Sequence, residues 1–409
     1  MQDILYLAHR IPYPPNKGDK VRSYNILEYL TQRYRVHLGT FVDHPDDWQH
    51  VPALKERCAS VQILPLSRWQ GRLRCLSGFL RGQALSVAWY RDAEMQRWVD
   101  ATVARHHIQS CVIFSAAMQQ FADQAKLETV LDLVDVDSEK WRRYADDHAF
   151  PLSWVYRREA AALLRYESAS ALKSRITLLS TPAEAALLAA RAPECAHKLG
   201  SMQNGVDTQR FAPDLEAASP YPNQRPVMIF TGAMDYWPNI DAVRWFTSDI
   251  LPLIRAQQPD AVFYIVGSNP HAQVRALHDG KTVFVTGTVP SIQPYLQHST
   301  LAVVPIRIAR GIQNKVLEAM AMAKAVIVTT ECARALGDPA QLPLCAVADG
   351  TNAAAAFAVQ TVTLLQQHTQ AKNLGQQARN FVQNEYNWPT RLGILDTLLP
   401  AHSTQGAPK

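Results

Sequence analysis

The residue types best suited to chemistry gather in one run, IRIARGIQNKVLEAMAMAKAVIVT at 306–329. Ile312, Val316, Ala319 and Ala323 keep helical spacing and are expected to face a sheet. On the opposite face Arg310, Asn314 and Glu318 recur every four residues, with Lys315 beside them and Gly311 about where the helix should begin. Backbone amides at such a helix start, together with Arg310 and Lys315, can hold a diphosphate, and Glu318 can accept hydrogen bonds from two ribose hydroxyls. The plain alternative is a solvated face held by i,i+4 pairing. The run follows the apolar stretch Leu301–Pro305, and ligands of parallel sheets bind beyond the carboxyl ends of strands, which favours the binding reading.

A second stretch of this kind is HRIPYPPNKGDKVR at 9–22. Its prolines stiffen the connection, Gly18 permits close backbone approach, and Lys17, Lys20 and Arg22 place positive charge at a helix start. This loop is expected to meet a phosphate or an acceptor; otherwise it is a rigid turn capped by Asp19. Asp135 and Asp137 follow another apolar run and should face the same side as these loops. Acceptor binding or proton abstraction stands there against capping of the next helix by Asp137 or Ser138. His9 ends the first apolar run, and no catalytic role is assigned to it. In 67–91, Arg68, Arg72, Arg74 and Arg81 interleave with Trp69, Leu73, Leu76, Phe79 and Leu80. That pattern suits a helix lying on an anionic lipid surface, or equally one packed on a sheet with snorkelling arginines.

These residues need positioning elements, and short apolar runs alternate with helical patterns almost throughout. Strands are expected at Ile4–Ala8, Val36–Val42, Val61–Leu66, Cys111–Phe114, Val130–Val134 and Ile176–Ser180. In the second half they fall at Val227–Thr231, Val262–Gly267, Val283–Thr286, Leu301–Pro305, Val326–Thr329 and Leu344–Val347. Such runs read as parallel strands buried on both faces, enough for two doubly wound α/β sheets. Residues 1–205 form the expected first domain, 206–226 a polar, Pro-rich linker, and 227–386 the second domain. One helical pattern spans Thr351–Glu385, and after Trp388-Pro389 the segment 387–409 should turn back onto the first domain.

A length of 409 residues suits two domains, and 47% hydrophobic with 19% charged residues describes a folded chain. The net charge of +5 fits phosphate-bearing ligands or an anionic surface and falls short of a nucleic-acid-binding composition, so no nucleic acid partner is expected. Six dispersed cysteines without metal-like spacing indicate reduced thiols and no metal. No apolar stretch reaches the length of a membrane span, and the N-terminal run reads as a strand, which places the chain in the cytoplasm. No GxGxxG follows the first strand and no GxxxxGK[ST] occurs, against a dinucleotide dehydrogenase or a P-loop NTPase.

Taken together, GIQNKVLEAMAMA at 311–323, NGVD at 204–207 with Phe211 after it, and PYPPNKGDKVRSYNIL near the start resemble glycosyltransferase family 4 of the GT-B fold. DLVDVDSEKWRRYA at 132–145 and FTGAMDYWPNIDAV at 230–243 resemble, more narrowly, a bacterial branch tied to exopolysaccharide synthesis and the PEP-CTERM/exosortase system. The resemblance implies two Rossmann-like domains facing across a cleft, with the acceptor on the first and a nucleotide-sugar donor on the second. It further implies retaining transfer without metal or other cofactor; a saccharide or lipid-linked acceptor is expected, and with the latter the 67–91 pattern would set the protein on the inner face of the membrane. The family holds its donor with two glutamates separated by seven residues; Glu318 matches the second, and Arg310 stands at the first. The family also sets an Arg and a Lys after the first strand of the second domain, where this chain has Gly232–Asn239 with neither. We therefore expect the cationic role to have moved onto Arg310 and Lys315, with Arg307, Lys20 and Arg22 as further candidates. A nucleotide-sugar epimerase and a non-catalytic nucleotide-sugar-binding scaffold are the alternatives.

Overall fold

The computed structural model describes residues 1–15, 18–214, 216–308 and 311–400. Its contacts divide the chain into two units: Met1–Gln203 with the segment from Leu392 onward, and Asn204–Arg391.

The first unit is built on β1 (Asp3–Ala8), β2 (Arg35–Val42), β3 (Ser60–Pro65), β4 (Ser110–Phe114), β5 (Glu128–Val134), β6 (Ile176–Leu179) and β7 (Leu199–Ser201). They form one parallel sheet in the order β3-β2-β1-β4-β5-β6-β7. Unbroken apolar runs are required because helices cover both faces, so Leu5, Tyr6, Leu7, Val112, Ile113 and Leu131 are all buried. β7 escapes a sequence reading, since three half-buried residues around Gly200 leave no apolar run to recognise.

Two glutamates of the long helix Leu152–Lys173 cap other helices from outside. Glu159 accepts from the Leu85 and Ser86 amides at 2.7 and 2.9 Å. Glu167 accepts from the Ser138 amide and hydroxyl at 3.2 and 2.5 Å, and burial pushes its carboxyl up to about 8. The helix Asp137–Asp146 has no capping hydrogen bond from its own N-cap side chain, so the cap expected of Asp137 or Ser138 comes instead from Glu167, 29 residues away.

The second unit carries β8 (Val227–Thr231), β9 (Val262–Val266), β10 (Val283–Gly287), β11 (Leu301–Val304), β12 (Val326–Thr329) and β13 (Cys345–Val347). Its parallel order is β10-β9-β8-β11-β12-β13, the same winding again. The polar segment 206–226 counts with this unit: Phe211 and Tyr221 enter its core, and the Tyr221 hydroxyl donates to the Tyr295 carbonyl at 2.7 Å. The pattern expected as one helix over 351–385 is two, Ala353–Gln366 and His368–Glu385, broken at Gln367. Of the C-terminal segment, Asn387 bridges Val206 in the second unit, whereas Asp396 accepts from Tyr29 at 2.7 Å and Arg33 at 3.0 Å in the first. Residues 401–409 lie outside the described part.

Candidate functional site

In the second unit β8 and β11 are neighbours, yet the chain leaves them toward opposite edges of the sheet. Such a reversal of strand order opens a crevice at the strands' carboxyl ends, where ligands of this architecture bind. The loop after β8 opens with Gly232 at φ +152°, a conformation L side chains rarely adopt, and its amide donates to the Val266 carbonyl at 3.1 Å. A Cβ at Gly232 would stand 2.8 Å from Asn239 Nδ2 and 3.2 Å from Lys315 Cε. Behind it a Cβ on Gly267 would fall 1.6 Å from the Gly232 carbonyl oxygen, so the two glycines nest. The two backbone segments thus pack against each other with no room for a side chain at Gly267.

Across the crevice Gly311 takes φ +57°, and the helix begins at Asn314, three residues later than expected. Lys315 therefore lies in the first turn, where the backbone amides lack intrahelical partners. Its ammonium donates to Asn239 Oδ1 at 2.9 Å and Gln313 Oε1 at 3.4 Å and sits 5.2 Å above the Phe230 ring. Asn239 is itself buried and pinned, its amide donating to the Ala233 carbonyl at 2.8 Å, so it steers the lysine. Burial pushes the Lys315 ammonium down to about 8, with Cys332 and Glu318 pulling the other way.

Glu318 stands one turn further along the helix. Lys315 and Glu318 are half-buried by surface, each keeping an opening to solvent within a dense surround. Burial raises the Glu318 carboxyl, opposed by Lys315 and Arg210. Among the described residues its carboxylate accepts no hydrogen bond. A desolvated cation thus stands near a carboxylate whose acceptor capacity is unspent, in the first turns of one helix. That set suits a diphosphate joined to a group with vicinal hydroxyls.

Asn314 joins this side, its Oδ1 accepting from Asn204 Nδ2 at 3.5 Å. Arg310 lies outside the described residues. Arg307 is tethered to Asp241 at 2.6 and 3.1 Å and covers the Trp245 ring at 5.0 Å. Asn239 and Phe230 contact Lys315, and Arg210 lies near enough to Glu318 to favour its charged form; no sequence signal marks any of the three. Asn239 is 76 residues from Lys315 in sequence, and no local pattern couples them.

In the first unit Gly18 starts the helix Gly18–Thr31 and is exposed, while Lys17 lies outside the described residues. Lys20 and Arg22, expected as cations offered to a phosphate or acceptor, are instead buried against carboxylates. Lys20 donates to Asp47 at 2.8 Å, and Arg22 makes a bidentate pair with Asp132 at 2.7 and 2.9 Å, both partners 1% exposed. The physical reason is desolvation: a cation in the interior must be matched by a carboxylate of fitting geometry. Asp132 Oδ1 also accepts from the Val134 amide at 3.2 Å. Val134 holds φ +70°, a strained conformation for a β-branched residue, and the next residue is Asp135. Arg22 accordingly braces the turn that presents Asp135, which is exposed and accepts from Ser180 Oγ at 2.8 Å. His9 stacks on Phe114 with ring centres 5.6 Å apart, at the equivalent reversal between β1 and β4.

Among the described residues Asp3, His37 and His106 alone group like metal ligands, at the amino ends of β1 and β2, with His37 already bonded to Asp3 and Ser60. All six cysteines are unpaired, and burial pushes Cys58 and Cys332 up to about 12, leaving unreactive thiols. No described helix is long and apolar enough to cross a membrane.

Residues 225–367 match the family model described as "Glycosyl transferases group 1", so the second unit carries a glycosyltransferase domain. No curated protein matches the chain in sequence. Among solved structures it is similar to sucrose-phosphate synthase from Thermosynechococcus elongatus, at 17% identity and TM-score 0.70, covering 97% of this chain and 98% of that one. HepE from Anabaena, in complex with UDP and glucose, gives 16% identity and TM-score 0.67, over 97% and 99% of the two chains. WaaG, a glycosyltransferase involved in lipopolysaccharide biosynthesis, gives 13% and 0.62, over 97% and 100%. The fold is that of the GT-B glycosyltransferases, two Rossmann-like parallel-sheet units of seven and six strands.

Proposed function

We propose that the protein transfers a sugar from a nucleoside-diphosphate sugar to a saccharide or lipid-linked acceptor. The observation that carries this reading is the pairing of Lys315, steered by Asn239, with the unspent carboxylate of Glu318 at the strand-order reversal of a glycosyltransferase domain. Lys315 and the first-turn amides hold the diphosphate, Glu318 holds the ribose hydroxyls, and the Gly232 loop lets the phosphates approach the backbone. The bond from the anomeric carbon to the diphosphate oxygen breaks, a bond to the acceptor oxygen forms, and negative charge collects on the diphosphate. Preorganised cations at that oxygen lower the barrier, because they need no reorganisation as the charge develops. Arg310 is assigned the same role from its place in the sequence.

Retention of configuration follows the family resemblance, with the departing phosphate taking the acceptor hydroxyl's proton and with no metal or cofactor required. Asp135 serves the acceptor, as does the exposed helix start at Gly18. The resemblance also supports a place in exopolysaccharide or other cell-envelope glycan synthesis of the PEP-CTERM type, and the basic, apolar pattern at 67–91 supports work at the inner face of the cytoplasmic membrane. UDP bound to a GT-B neighbour makes UDP the first nucleotide to try. The test is to incubate the protein with UDP-sugars and no acceptor. Slow release of UDP is expected; conversion of the donor into its epimer would replace transfer with epimerisation.

A further inference from the structure

We infer that the first unit docks on an anionic lipid leaflet through the outward face of the helix Arg68–Leu80 and the adjoining stretch Phe150–Trp154, an inference that deepens the lipid-linked acceptor of the proposed function. The helix is seated with its glycines inward. A Cβ on Gly71 would lie 2.7 Å from the Trp89 ring, and one on Gly78 would lie 2.7 Å from Ala88 Cβ. At 100° per residue Trp69, Leu73, Leu76 and Leu80 fall in one narrow stripe opposite those glycines. The stripe faces outward: Trp69 is 67% exposed, Leu76 60% and Leu80 79%. A helix packed for the core would turn this stripe inward, so the amphipathicity is reversed.

The second element extends the surface. Phe150 is 81% exposed and Trp154 53%, and the Trp154 ring meets Phe79 edge-on at 5.9 Å. Arg158 locks the two together, donating to the carbonyls of Gln83, Gly78 and Phe79.

Charge identifies the occupant. Exposed Arg68 and Arg72 flank the stripe on one side and exposed Arg81 on the other. Arg74 is held by Asp92. No Asp or Glu occurs between Glu56 and Asp92, and the nearest acids of the second element are Asp146 and Asp147 before Phe150. Apolar and Trp side chains bordered by arginine match the interface of a bilayer with anionic headgroups. Beneath the helix a cavity of about 320 Å³ is lined by Cys75, Leu85, Trp89, Trp141, Val155 and Tyr156. Its one carboxylate, Glu159, is spent on the Leu85 and Ser86 amides. The cavity is large enough for part of a ligand and almost wholly apolar, which suits a hydrocarbon chain drawn from the same leaflet.

The full chain would be sedimented with vesicles of phosphatidylglycerol in phosphatidylcholine, and with phosphatidylcholine alone. Binding to the anionic vesicles is expected, at least tenfold weaker on the neutral ones and similarly reduced by Leu76→Glu with Leu80→Glu. Arg72→Glu with Arg81→Glu should weaken binding and flatten its salt dependence. Both pairs are exposed, and the UDP-induced thermal shift should survive in each variant. The inference falls if the protein stays in solution with anionic vesicles, if the leucine variant binds equally, or if the same substitutions abolish a self-association seen by gel filtration. Vesicle binding without UDP binding would instead remove the donor site and leave this surface standing.

Discussion

Between pH 7 and pH 9 the affinity for UDP should fall about tenfold. Burial holds the free Lys315 ammonium at about 8, so it is nearly all charged at pH 7 and about one-tenth charged at pH 9. A diphosphate binds the charged form, and each pH unit above that value costs roughly tenfold, or about 1.4 kcal/mol. The folded value lies below the ordinary lysine value of 10.5, so Lys315 opposes folding at low pH, and that opposition fades as pH rises from about 8 toward 10.5. Stability and affinity should therefore move in opposite directions over this window, which generic alkaline unfolding does not produce. Calorimetric titration with UDP in buffers of different ionisation heat would measure the affinity and the protons taken up, near half a proton per nucleotide at pH 8. Lys315→Arg should flatten the profile, since a guanidinium stays charged throughout. A flat affinity with no proton uptake in the unsubstituted protein would refute the assignment of Lys315 to the diphosphate.

Glu318→Ala should weaken UDP binding roughly 10- to 100-fold, the worth of about one charge-assisted hydrogen bond, while the melting temperature without ligand changes little. A collapse of the melting temperature with unchanged affinity per folded molecule would make Glu318 structural. Gly267→Ala should push the Gly232 carbonyl out of place and cost UDP affinity without touching the ligand, as read by the same titration. Arg22→Met should destabilise the protein by about 3–5 kcal/mol in urea unfolding, because Asp132 is left charged and buried. Adding Asp132→Leu should restore much of that loss, and UDP affinity should stay unchanged in both variants.

The parallel strands could be read from the sequence because both their faces are covered, which demands continuous apolar runs such as Val262–Val266. β7 could not, since an edge strand of three residues carries no such demand. The spacing of Lys315 and Glu318 was legible too, because one helix, Asn314–Ala321, carries both and its period is local. The helix start was misplaced by three residues, because Gly311 at φ +57° ends an approach loop and does not open the helix.

By itself, then, the chain's local pattern determined two wound sheets and a helix bearing a lysine and a glutamate a turn apart. Tertiary structure alone decided the state of the charges. The sequence shows Lys20, Arg22 and Lys315 as three similar cations near helix starts. Folding buries Lys20 against Asp47 and Arg22 against Asp132, and gives Lys315 the neutral oxygen of Asn239. A cation matched by a buried carboxylate is spent, whereas one held by an amide keeps its charge for a ligand. Which of these a residue meets depends on partners up to 110 positions away, and no local spacing encodes them.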